Sequence, residues 1–145
     1  MSIPAPTTHM PNNLKNKIYA TAVGRRKEAV AQVRLIAGDG SIVVNGRPAD
    51  RYFSSIIAKT RATSPLSVLP KSKTYSVEAK IRGGGSTGQL DALTLGIARA
   101  ISSLKAEYKS PLRKLGLLTR DSRVRQRRMV GMGGKSRRKK QSPKR

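Results

Sequence analysis

The segment Gly83-Gly84-Gly85-Ser86-Thr87-Gly88-Gln89 lies between an alternating stretch and an amphipathic one. A glycine-rich strand-to-helix junction presents free backbone N–H groups and the positive end of a helix, which suits phosphate binding. Its spacing fits neither the G-x-x-x-x-G-K-[ST] loop of nucleotide hydrolases nor G-x-G-x-x-G. Two readings stay open: glycines that allow a sharp turn and tight packing, or a helix N-terminus that holds an RNA phosphate. Gly24-Arg25-Arg26-Lys27 groups three cations between two strand-like segments. A guanidinium donates two N–H bonds to one phosphate, so this run reads as a nucleic-acid backbone contact against the alternative of a solvated loop.

The third chemical stretch is the C-terminal one, Thr119 to Arg145, with twelve Lys or Arg and a single acid, Asp121. Val124, Met129, Val130 and Met132 follow neither a helical stripe nor strand alternation. Such a segment buries too little apolar surface to offset its ordering entropy, so it is expected to be disordered until a polyanion binds it. Subtracting this segment's +11 from the net charge of +24 leaves +13 on residues 1–118, so the body is basic too. Charge of that size favours a polyanionic partner.

Catalysis finds little support. Of the seven acids, Glu28, Asp39, Asp50, Glu78, Asp91, Glu107 and Asp121, Asp39 and Asp50 sit next to turns or at a helix start, and Asp91 reads as a first-turn charge on its helix. His9, the only histidine, lies in a Pro-, Ser- and Thr-rich extension and reads as a solvated side chain. With no cysteine and no histidine in the ordered body, the common nucleophile and base pairings are missing, as are thiolate metal sites and disulfides. No enzyme activity, cofactor or metal is expected.

Positioning these residues requires a folded body. The 37% hydrophobic fraction and 13 glycines bring apolar residues to about 46%, inside the usual 45–50% range, so a core is expected. Met1 to Lys17 reads as a mobile extension, neither a secretory signal nor, lacking Arg, a typical transit peptide. No apolar run reaches the roughly 20 residues of a membrane span, and the chain is expected to be soluble and intracellular. Ile18–Val23 is a short strand that Gly24–Lys27 interrupts as a turn or bulge. Ala29–Ile36 alternates as a half-buried strand, and across the Ala37–Gly40 turn it is expected to form a hairpin with Ser41–Val44. Asn45-Gly46 is another turn. Pro48 through Ile57 reads as a short helix with Tyr52, Phe53, Ile56 and Ile57 at helical spacing, and Ala62–Leu69 as another turn or two of helix around Pro65. Lys71–Lys73 is a loop and Tyr75–Arg82 the most clearly alternating strand. Ser86 and Gln89 form a capping box that opens a helix with Leu90, Leu93, Ile97, Ile101 and Leu104 in one stripe. Gly96 in that helix costs about 1 kcal/mol unless close packing requires it. A short helix from Ser110 ends at Gly116.

Specific strings narrow the choice of partner. Ala22-Val23-Gly24-Arg25-Arg26-Lys27-Glu28-Ala29-Val30-Ala31-Gln32-Val33-Arg34-Leu35 and Val44-Asn45-Gly46-Arg47-Pro48-Ala49-Asp50-Arg51-Tyr52-Phe53 resemble the bacterial-type ninth protein of the small ribosomal subunit (S-nine). So do Gly83–Gln89, Gly96-Ile97-Ala98-Arg99-Ala100 and Gly116-Leu117-Leu118-Thr119-Arg120-Asp121-Ser122-Arg123-Val124, in the family's order over Tyr19 to Arg145. The resemblance implies an α+β fold, a two-layer sandwich with a small mixed sheet covered by helices on one face, plus a long extended C-terminal tail. It divides the chain into an extension (1–17), an RNA-binding domain (18–118) and a basic tail ordered on RNA (119–145). It implies binding to 16S-type rRNA in the head of the small subunit, beside neighbouring head proteins. The contacts expected in the body are Arg25, Arg26, Lys27, Arg47, Arg82, Gly83, Gly84, Gly85, Ser86 and Gln89. Along the tail they are Arg120, Arg123, Arg125, Arg127, Arg128, Lys135, Arg137, Arg138, Lys139 and Lys140. The tail's end implies contact with the anticodon stem-loop of peptidyl-site tRNA through Lys144 and Arg145. The chain departs from the family pattern in having Pro143, and no aromatic, before that terminal pair, and Met129-Val130-Gly131 where a basic residue and a tyrosine are common.

The implied location is a bacterial cytoplasmic ribosome, with an organellar ribosome second. A nucleoid protein with a histone-like arm is the rival from another class, separable by competition between duplex DNA and small-subunit RNA. A phosphotransferase using Gly83–Gln89 is the second rival, separable by ATP binding. Neither a membrane nor a small-molecule substrate is expected as a partner.

Overall fold

The computed structural model describes residues 17–70 and 74–131. β1 (Ile18–Arg26) and β2 (Ala29–Ala37) form an antiparallel hairpin through the two residues Lys27 and Glu28. The Gly24–Lys27 run is therefore not an interruption. Gly24, Arg25 and Arg26 continue the ladder opposite Ala31, Val30 and Ala29, and only Lys27, at φ 51°, leaves it. The three charges that suggested a loop are tolerated because alternate strand residues point to opposite faces.

β3 (Ile42–Val44) does not pair with β2. The expected hairpin across Ala37–Gly40 is replaced by a central strand, β5 (Tyr75–Arg82), which runs antiparallel to β2 and parallel to β3. With β4 (Arg47–Pro48) on the far edge, the sheet order is β1-β2-β5-β3-β4. Backbone groups of the connecting turn are committed to β5: Gly38 donates to Thr74 O, and Val77 donates to Ser41 O. Ser76 adds its hydroxyl, which accepts from the Asp39 N–H and donates to the Asp39 carboxylate. Asn45-Gly46 is the predicted turn, now closing β3 onto β4, with φ of 49° and 77° as mirror-type hairpin turns require. The Asn45 side chain accepts from Ile81 N–H at 2.9 Å and donates to Ile81 O at 3.0 Å, extending the parallel ladder by an amide in place of a peptide.

The predicted helix from Pro48 to Ile57 divides. α1 (Ala49–Tyr52) stops at extended Phe53, and α2 runs from Ile56 to Thr63. Phe53 is buried, whereas Ile56 and Ile57 are 80% and 72% exposed, so the expected apolar face ends at the break. Pro65 leads a 3₁₀ turn over Leu66–Val68. α3 (Ser86–Leu104) buries Leu90, Leu93, Ile97 and Ile101 against the sheet, with Leu104 partly covered. Full burial of one such side chain is worth about 1.5–3 kcal/mol. Gly96 is the close-packing glycine: a Cβ there would lie 2.7 Å from Val33 Cγ2 and 3.3 Å from Gly24 N. Gly24 faces it from β1, where a Cβ would run into the Ala92 carbonyl oxygen. Two missing side chains thus let α3 lie directly on β1.

A 3₁₀ turn at Ala106–Tyr108 leads into α4 (Lys109–Lys114). Gly116, at φ 70°, donates to Arg113 O, and Leu117 donates to Leu112 O, a Schellman stop that ties off the last helical carbonyls. All the helices gather on one side of the mixed sheet. On the sheet the core is Ala31, Val33, Leu35, Val44, Val77, Ala79 and Ile81, in one cluster with the buried residues of α3. The opposite side presents Thr21, Arg25, Gln32, Arg34, Lys80 and Arg82, all exposed. Among the described residues no helix is long and apolar enough to cross a membrane.

Candidate nucleic-acid interface

Among the described residues, one end of the sheet collects most of the expected contacts. The β1–β2 turn, the β5–α3 loop and the start of the C-terminal segment meet there. Gly83 and Gly84 adopt φ of 73° and 67°, which a side chain resists. A Cβ on Gly83 would collide with Glu28 O, and one on Gly84 would lie 3.0 Å from Ala29 Cβ. Of the two readings left open for this loop, the geometry shows the packing one: the glycines pack against the hairpin turn, and that packing holds the α3 N-terminus beside it.

The capping box does not form. Gly85 is the N-cap and Ser86 already lies inside the helix, so no side chain caps α3. Gln89 turns back instead: its amide nitrogen donates to Gly83 O at 3.1 Å, and its amide oxygen accepts from the Tyr52 hydroxyl at 2.9 Å. Gln89 is thus a brace of the loop. Asp91 is beyond the first turn, which contains no acid. Ser86 and Thr87 are exposed, so the positive end of a 19-residue helix faces outward without a neutralising carboxylate.

Arg25 and Arg26 separate because they are strand neighbours. Arg25 lies opposite Val30, which is opposite Arg82, putting both side chains on the open face with their backbones about 10 Å apart across the sheet. Arg34 and Lys80 share that face, bringing it to four cations around the single acid Glu78. Arg34 and Lys80 are absent from the residues singled out by sequence. The clue was alternation in both segments, but it needed the β2–β5 register to become a surface.

Arg26 points to the helical side. Its side chain is 12% exposed and touches Asp121 Oδ2 at 2.9 Å and Asp91 Oδ2 at 3.5 Å. It donates to the backbone oxygens of Asp121 at 3.3 Å and Arg123 at 2.7 Å. Arg61 reaches Asp91 at 2.7 Å, and Arg123 pairs with Asp121 at 2.7 Å. The Asp121 carboxyl is held below its ordinary value of 3.8, first by hydrogen bonds from the Arg123 side chain and backbone, then by the charges of Arg123 and Arg26. Lys27, Arg123 and Arg125 line an open groove with Arg26 and Val124.

Arg120, Arg127 and Arg128 are exposed in a segment with no helix or strand. Arg47 lies exposed on β4, the edge opposite β1. The expected contacts Lys135, Arg137, Arg138, Lys139, Lys140, Lys144 and Arg145 are outside the described residues, as are most of the N-terminal extension and the Lys71–Lys73 loop. Among the described residues no three acidic or histidine side chains gather as metal ligands would.

Residues 24–145 match the family model described as ribosomal protein S9/S16. The chain belongs to that family. It is 47% identical over 110 residues to small ribosomal subunit protein uS9 of Cytophaga hutchinsonii, covering 76% of this chain and 86% of that one. Against the Synechocystis protein of the same name it is 41% identical over 122 residues, covering 83% and 89%. The Leifsonia xyli protein of that name is 46% identical over 116 residues, covering 79% and 69%. The family is one of structural ribosomal proteins and not of enzymes, and the mixed five-stranded sheet agrees with the fold expected from the resemblance.

Proposed function

We propose that this chain is a structural constituent of the small ribosomal subunit, binding 16S-type rRNA in the head and reaching the peptidyl-site tRNA with its C-terminal end. The observation that carries the reading is the convergence at one end of the sheet: an uncapped α3 N-terminus, the Lys27 turn and the first tail arginines face the same side. Each provides N–H donors with positive charge, and none is shaped to read bases. That suits A-form RNA, whose deep major groove is closed to side chains and whose phosphates and shape dominate recognition. The second surface is the open sheet face, where Arg25, Arg34, Lys80 and Arg82 meet RNA phosphates in place of a second layer of helices.

In this reading Arg120 to Lys140 neutralise phosphates where rRNA helices converge, and Lys144 with Arg145 form the tip at the tRNA anticodon stem-loop. Pro143 stands in the sequence where the family commonly has an aromatic, and a proline is the residue type that fixes φ and biases its predecessor to extended backbone. Neighbouring head proteins are the remaining partners, and the setting is a bacterial ribosome.

Competition binding tests the reading. The full chain is expected to keep small-subunit RNA in the presence of excess duplex DNA. With about eight phosphates neutralised, affinity falls by about four decades between 50 and 200 mM salt. Equal preference for the DNA, with the same salt slope, would instead favour an architectural DNA-binding protein.

A further inference from the structure

Arg26 stands out among the cations of the interface because its charge is spent inside the protein. Most of the cations here are exposed and face solvent, whereas this guanidinium is nearly covered and meets two carboxylates and two backbone carbonyls. Those acceptors come from two places far apart in sequence. Asp91 belongs to α3, and Asp121 and Arg123 lie 95 and 97 residues beyond Arg26, past the Schellman stop. We propose that Arg26 is a positioning residue: it straps residues 121–123 to the folded body and sets where, and in which direction, the basic C-terminal segment departs.

The planar guanidinium suits this task because its five donors lie in a fixed fork, so one side chain can hold two carbonyls and a carboxylate at defined angles. Asp121 supplies the other half. As the only acid between Thr119 and Arg145 it is out of place in a segment that meets polyanions. Its carboxylate lies between Arg26 and Arg123 and also accepts the Arg123 backbone N–H at 3.0 Å. Arg61 completes the assembly from α2 through Asp91, so β1, α2, α3 and the tail root meet at one charge cluster. The strap thus carries the placed part of the chain past the helix stop at Gly116 as far as Arg123. A chain whose first residues are already placed loses less freedom when the remainder is ordered on RNA.

This inference rests on the RNA-binding reading only for its benefit to affinity; the strap itself is testable in the free protein. Three variants of the full chain, Arg26→Met, Asp121→Asn and Arg25→Met, separate the roles. In Arg26→Met the backbone order parameters of residues 121–124 are expected to fall below about 0.6, while Arg25→Met leaves them unchanged. For RNA the sign decides. Asp121→Asn removes one negative charge, so simple electrostatics demands tighter binding to small-subunit RNA. The strap demands binding weaker by about three- to tenfold. Salt dependence separates the two arginines: Arg25→Met makes the slope of log K against log salt shallower by about 0.7–0.9, and Arg26→Met leaves it unchanged.

Retained order at 121–124 in Arg26→Met, a slope reduced as in Arg25→Met, or tighter RNA binding by Asp121→Asn would each overturn the proposal. Should Arg26→Met fail to fold, Asp121→Asn, altered outside the sheet and helices, decides by both order and affinity. If the unaltered chain shows no preference for small-subunit RNA, the functional reading falls, and the order parameters still decide the strap.

Discussion

Replacing Gly24 with Ala should damage the fold more than any other exchange of one hydrogen for a methyl in the β1–α3 contact. A Cβ at Gly24 would meet three backbone atoms of α3, Ala92 O, Ala92 C and Gly96 N, all within 2.9 Å. Ordinary carbon contacts lie at about 3.5–4.0 Å, so the helix would have to retreat by about 1.5–2 Å. α3 is held in place by ten buried residues, and neither contacting group is a side chain that can rotate away. Overpacking of this kind costs about 1–3 kcal/mol and more when backbone must move, so about 3 kcal/mol is expected. The comparison is Gly96→Ala, whose Cβ meets mainly a methyl of Val33 at 2.7 Å. There the strain is partly offset by about 1 kcal/mol of helix propensity, leaving a net loss of about 0–2 kcal/mol. Urea denaturation of the free chain reads both, as a lower midpoint at unchanged slope. A Gly24→Ala midpoint at or above that of Gly96→Ala would refute the close-packing account of the two glycines.

Removing Lys144 and Arg145 should spare incorporation into subunits yet weaken peptidyl-site tRNA binding, because charge-assisted phosphate bonds are lost; unchanged tRNA affinity of isolated subunits would count against the tip. The Asp121 clamp should be insensitive to pH between about 8 and 5, because a carboxyl whose value is lowered on docking contributes fully above its ordinary 3.8. The contribution is lost only as pH falls through the lowered value, with Arg26, Arg61 and Arg123 charged throughout and Asp91 the other carboxylate. Tail-root order followed by NMR that declines between pH 8 and 5 would contradict the arrangement.

Much of this protein was legible in its residues. Alternation in Ala29–Ile36 and Tyr75–Arg82 and the stripe from Leu90 to Leu104 predict β2, β5 and α3, because burial of one face is written into periodicity. The family strings and the basic excess point to ribosomal RNA with no structure at all. Strand order was not legible: an alternating strand carries no label for its partner, and the turn at Ala37–Gly40 looks the same whether its strands pair directly or admit β5 between them. The open basic face followed the same rule, since Arg34 and Lys80 join Arg25 and Arg82 only once the register is known. The sharpest case is Arg25-Arg26. Composition makes the two equivalent, and both were expected to meet phosphate. A strand turns successive side chains to opposite faces, so Arg25 looks out at solvent while Arg26 is largely covered against Asp91 and Asp121. Residue type decided that this end of the molecule is cationic; only tertiary contact decided which of its charges are free.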